Sequence, residues 1–166
     1  MGLRTLVERQ YVAKLNPQGL RQVVLPAGAA VTATANAAGS TYGNWVDVAT
    51  AATVTQDTLV VGVILTALSA PDVFTVDIGS CLGYANAAAV IAAGAAAIAA
   101  AHRAEVRYER VTVVVTAVGT YGLQGGYIPL TFPVWIPAGV GILGRCYGIT
   151  AAAVTVDISA VCVQGF

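Results

Sequence analysis

The sequence predicts a mainly β, single-domain sandwich of jelly-roll-like type, and three observations carry that prediction. The first is the stretch 111–144, which has no formally charged side chain in 34 residues yet holds Pro129, Pro133, Pro137 and seven glycines. Proline removes a backbone donor and breaks a helix interior, so this run reads as several apolar strands joined by tight turns. The second is alternation, clearest where Val154, Val156, Ile158, Ala160 and Cys162 take turns with Thr155, Asp157, Ser159, Val161 and Val163. A period of two places these sets on opposite faces of one half-buried strand. The third is an internal echo: LPAG at 25–28 with TVDIGSC at 75–81, and IPAG at 136–139 with TVDISAVC at 155–162. The unequal gaps exclude a solenoid and leave one turn chemistry and one strand pattern used twice, as in a sandwich or jelly roll.

The elements follow in order. Residues 1–21 form an N-terminal arm, in which Leu3, Leu6, Val7 and Tyr11 fall at helical spacing opposite Arg4, Glu8 and Arg9 until Pro17 ends the pattern. Residues 22–166 form the β-sandwich domain. A strand at 20–25 stops at Pro26, a short strand at 31–35 alternates with Thr32 and Thr34, and 37–44 is a loop. Trp45, Val46 and Val48 open another strand. The continuous apolar run 59–68 predicts a strand covered on both faces. Phe74, Val76 and Ile78 share a face opposite Thr75 and Asp77. The alanine-rich stretch 86–101 is the one helix candidate, with Asn86 as its cap; apolar all round, it would have to be buried. A small-residue loop or strand pair is the alternative, because Gly94 interrupts it.

From 103 the charges Arg103, Glu105, Arg107 and Glu109 share one strand face, and past Arg110 that face belongs to Val111, Val113 and Val115. Either a bulge sits near 110–111 or the strand leaves solvent and enters the sandwich. A loop at 119–126 and strands at 130–136, 140–147 and 154–163 complete the domain.

Composition points to association. The chain is 57% hydrophobic and 10% charged, whereas an ordinary soluble surface is roughly 25–35% charged residues, so much of the outside should face other protein. A homo-oligomer is expected, a trimer being one symmetry. Eight basic and eight acidic residues cancel, which gives no reason to expect nucleic acid or an anionic membrane as partner. The arm holds Arg4, Arg9, Lys14 and Arg21 against Glu8, a net +3, leaving −3 on the remainder. Leu3, Arg4, Leu6, Val7, Arg9 and Tyr11 are therefore the candidate partner-binding residues, docking on a neighbouring subunit; a fraying, solvated terminus is the alternative.

No catalytic, cofactor-binding or metal-ligating set is predicted. His102 is the only histidine and sits at the end of the alanine run, where a helix C-terminus favours a cation. Asp47, Asp57, Asp72, Asp77 and Asp157 are dispersed singly. Cys81, Cys146 and Cys162 lack metal-ligand spacing and read as small buried hydrophobes, with a disulfide among them as the sharper alternative. The aromatics Tyr121, Tyr127, Phe132 and Trp135 are expected to pack in the core; exposed, they would make a sugar-stacking platform.

The stretches FPVWIPAGVGILGRCYG (132–148) and AAAVTVDISAV (151–161), with VVGVILTALSAPDVFTVDIGS (60–80), resemble small virion structural proteins of tailed bacteriophages. An apolar strand leads into IPAG, then a strand ending in Arg and a small residue, then an alternating last strand. The resemblance covers about a third of the chain. It implies a β-sandwich subunit of a capsid or tail, and the expected role is a decoration or cement protein in the virion, assembled in the host cytoplasm, which stabilises the head by binding major capsid subunits. A tail or connector component and a carbohydrate-binding virion module are the alternatives; an enzyme is not expected.

Overall fold

A computed structural model describes residues 21–37, 42–81, 83–93, 106–115, 126–149 and 153–165. They form nine strands and one short helix: β1 (Arg21–Leu25), β2 (Val31–Thr34), β3 (Val46–Ala49), β4 (Thr58–Thr66), β5 (Asp72–Cys81), α1 (Ala87–Ala92), β6 (Val106–Val115), β7 (Gly126–Ile136), β8 (Ile142–Gly148) and β9 (Thr155–Gln164).

All pairings are antiparallel. One sheet, here sheet A, runs β1–β9–β4–β7, with β2 also on β9; the other, sheet B, runs β3–β8–β5–β6. β1 pairs with residues 160–164 of β9 and β2 with residues 155–158, so together they are one interrupted edge strand. Counting them as one, the chain alternates between sheets except at the β5–β6 hairpin, the eight-strand order of a jelly roll.

The inner faces meet in a single core. Alternate residues of each strand enter it, among them Val63 and Leu65 of β4, Phe74, Val76 and Ile78 of β5, Ile142 and Cys146 of β8, and Val156, Ile158 and Ala160 of β9, all fully buried. Burying one large apolar side chain is worth about 1.5–3 kcal/mol, so period-two alternation alone accounts for how the sheets find each other. Close approach also needs a gap: a Cβ on Gly144 would lie 2.9 Å from Val48 Cγ2 of its own sheet and 3.2 Å from Ile158 Cδ1 of the facing sheet. The IPAG turn delivers the chain from β7 to β8 with Gly139 at φ +77°, in the left-handed region. It docks through Gly139 N–H on the Val54 carbonyl (2.7 Å) and Ala138 N–H on Asp57 Oδ1 (3.0 Å).

Three expectations change, and one open alternative is resolved. The run 59–68 is continuous because β4 bulges, not because both faces are covered. Both neighbours shift register between Val60 and Gly62, so the inward set passes from Thr58 and Val60 to Val63 and Leu65, and Leu59, Val61 and Ile64 stay only half-buried. At the parity switch near Arg110, β6 pairs with β5 without a shift from Val106 to Val115. The strand therefore enters the sandwich from its rim: Glu109 is half-buried, whereas Val111 lies in the core and Val113 packs against it. The helix spans Ala87–Ala92, and 94–101 lie outside the described residues. It is not buried all round; Ala87 and Val90 face the protein, whereas Ala88, Ile91 and Ala92 are exposed. Arg21, placed at the end of the arm, is the first residue of β1.

Candidate functional site

The two outer faces of the sandwich differ, and the difference starts in strand register. On sheet B, β8, β5 and β6 set Arg145, Asp77 and Arg110 directly opposite one another. The Asp77 side chain is fully buried. Its Oδ1 accepts from Arg110 Nε at 2.8 Å, and its Oδ2 accepts from Arg145 Nε at 3.0 Å and lies 2.9 Å from Arg145 Nη2. A carboxylate taken out of water requires such partners, since an unpaired one would cost several kcal/mol.

The chain's own loop and helix cover this row. Tyr42 donates its hydroxyl to Asp77 Oδ1 (3.1 Å). The Arg145 guanidinium lies 4.1 Å from the Tyr42 ring centroid and 4.3 Å from that of Trp45, so it contacts two aromatic faces. Burial first, and then the Asp77 carboxylate, push the Tyr42 hydroxyl above the usual phenol range. Trp45 in turn packs with Leu143 of β8 and with Ala87 and Val90 of α1. Helix α1 is pinned at its start, where Asp47 Oδ1 accepts from Ala87 N–H (2.8 Å) and Asn86 Oδ1 from Ala89 N–H (2.9 Å).

Sheet A presents a different outside. Its register places Gln22, Val163, Leu59 and Trp135 in one outward row, Val24, Val161, Gly62 and Pro129 in the next, and Ser159, Ile64 and Tyr127 in a third. None of these carries a formal charge. Asp157, bonded to the Thr32 hydroxyl, stands at one end of the face, and Asp57, bonded to Ala138, near the other. The Tyr127 ring lies over Gly62, in space that any side chain there would occupy. Between Val60 and Gly62 on β4, β7 advances from Val134 to Pro129. The extra residues push Phe132 outward, 70% exposed, beside Tyr127 at 53% and Trp135 at 49%.

The expectation that these aromatics pack in the core is thus overturned for all three. Strand parity would turn Phe132 inward with Leu130 and Val134, and the bulge removes it; Tyr127 and Trp135 lie on the outward parity of an edge strand. Tyr121 lies outside the described residues, as do His102 and the arm residues Leu3, Arg4, Leu6, Val7, Arg9 and Tyr11. Cys146 and Cys162 are free thiols buried in the core, Cys146 donating to the Ala33 carbonyl. No disulfide joins these two, and complete burial leaves neither available to a neighbouring chain. Cys81 closes β5.

The aspartates are occupied structurally: Asp47 and Asp57 hold backbone amides of α1 and the IPAG turn, Asp72 accepts from Val73 N–H, Asp157 from Thr32, and Asp77 holds two arginines. Among the described residues no group of three or more His, Cys, Asp and Glu could hold a metal ion, and no helix is long and apolar enough to cross a membrane. No protein-family model matches the chain, and no curated protein matches it.

Proposed function

We propose that the protein is a structural subunit of a tailed-phage particle, a decoration or cement protein that stabilises the head by binding capsid subunits. The observation that carries this reading is the inequality of the two outer faces. On sheet B the chain's own Tyr42, Trp45 and α1 lie over the β8–β5 side, whereas on sheet A Val24, Tyr127, Phe132 and Trp135 stand exposed on an uncharged face whose middle residues Val161 and Ser159 are buried. An apolar, uncharged face of this kind suits a protein that works by contact. The jelly-roll order, the low charge and the resemblance of 60–80, 132–148 and 151–161 to small virion proteins support the same reading.

The test is to add the purified protein to phage heads lacking a decoration layer. It should co-sediment at a fixed ratio and raise the temperature at which the shells release DNA. Binding to isolated tails, and not to heads, would move the protein to the tail or connector.

Exposure of Tyr127, Phe132 and Trp135 supports a second reading, a carbohydrate-binding virion module. Calorimetric titration with bacterial surface glycans, repeated on Trp135→Ala, tests it: saturable heat lost in the variant is the result that reading requires.

A further inference from the structure

We infer that the outer face of sheet A is a self-docking surface, whose occupant is the same face of a second copy of this chain. This goes beyond the virion role and does not depend on it. In a two-fold contact each residue near the axis meets its own counterpart, so the patch must not oppose like charges. The exposed side chains of this face, Val24, Tyr127, Phe132 and Trp135, meet that condition: none is charged, Asp157 and Asp57 stand at opposite ends and are already hydrogen-bonded, and Val161 and Ser159 between them are buried. A partner of strong charge would find nothing complementary there.

The approach direction is also fixed. Sheet A has two edges: at β7, Pro129 and Pro133 have no N–H and the chain bulges between them, and at the other edge β1 and β2 offer only five and four residues, so neither favours an added strand. A face-on approach fits better, and on sheet B Tyr42, Trp45 and α1 lie over the β8–β5 side of the outer face, leaving Val114 exposed on β6. A glycan fits less well, because a sugar site needs convergent polar groups beside its stacking rings. Here the direct cross-strand neighbours of Trp135 and Tyr127 are Leu59 and Ile64, and the polar residues of their rows, Gln22 and Ser159, stand on strands farther away.

The area is sufficient for a weak dimer. Three aromatics that bury 150–250 Å² each when enclosed leave roughly 350 Å² open at the exposures seen here. With Val24 and the half-exposed side chains of β4, each copy offers about 500–600 Å², so a pair buries about 1,000–1,200 Å², the lower end of specific interfaces.

The experiment is sedimentation velocity on the whole chain from about 1 to 200 µM, the range in which a contact of this size dissociates. It is repeated on Phe132→Ser, Trp135→Ser and, as a control, Val114→Ser, whose side chain is 56% exposed on the outer side of sheet B. The expected result is a reversible monomer–dimer equilibrium, weakened at least about tenfold in each aromatic variant and unchanged in Val114→Ser, with equal urea midpoints. Phe132, the most exposed of these side chains, carries the test if Trp135→Ser does not fold. A monomer at every concentration, an odd-numbered oligomer, a dimer indifferent to both aromatic substitutions, or glycan binding that depends on Trp135 while self-association does not, each overturns the inference.

Discussion

Asp77 and Arg145 face each other in register across β5 and β8, with carboxylate Oδ2 2.9 Å from guanidinium Nη2, although 68 residues of sequence separate them. Arg110 completes the row from the other side. This buried carboxylate pairs with both arginines, with Arg145 stacked on Tyr42 and Trp45. Asp77→Asn keeps the shape and removes the charge. The expected loss is about 3–5 kcal/mol, the scale of breaking a buried pair and leaving its partners uncompensated. Urea unfolding monitored by tryptophan fluorescence measures it, and a loss below about 1 kcal/mol would refute the account of this row.

Helix α1 has six residues, too few to be stable alone, so it depends on docking. Asp47→Ala orphans the Ala87 amide and should cost about 1 kcal/mol. Hydrogen exchange at Val90 should accelerate in the variant while exchange at Ile158 stays unchanged, because detachment is local.

Gly62 is required by packing. A Cβ there would sit 2.8 Å from the Ile128 carbonyl oxygen and overlap the Tyr127 ring. Gly62→Ala should cost about 1–3 kcal/mol, the range for overpacking, and should lower the melting temperature. An unchanged melting temperature would mean that Tyr127 swings away freely.

Stability should fall in alkali. Burial pushes the Cys146 and Cys162 thiols from an ordinary value of 9.0 up to about 12. Below pH 9 both folded and unfolded chains keep these protons. Between 9 and 12 the unfolded chain releases them and the folded chain does not, so stability decreases as pH rises, by up to about 1.4 kcal/mol per pH unit for each thiol. Denaturation at pH 8, 9.5 and 10.5 should show this slope in the wild type and a shallower one in Cys146→Ala, Cys162→Ala. Both thiols should also resist iodoacetamide until the protein unfolds.

The strands were legible wherever alternation was unbroken. The inward set of β9 from Val154 to Cys162 is visible in the sequence alone, as are the inward set of β5 and the two PAG turns. Legibility ended where an extra residue changed parity. The bulge at Val61–Gly62 makes β4 look uniformly apolar, and the bulge around Thr131–Phe132 hides that Phe132 points outward with Tyr127 and Trp135. The Asp77 row was not legible, because register between distant strands is a property of the whole sheet. Its only local sign was an arginine on the polar parity of each neighbouring strand. Stacking of Tyr42 and Trp45 on Arg145 left no periodic trace, since both precede β3.

The split of the first edge strand into β1 and β2 bears on how the protein can be stored. Long, flat strand edges act as templates on which further chains grow into fibrils. Here β1 offers five residues, β2 four and β3 four, and the long β6 edge carries Glu109 and Arg110. A chain edged this way offers little template for fibril growth, so it should stay in solution on prolonged storage at high concentration.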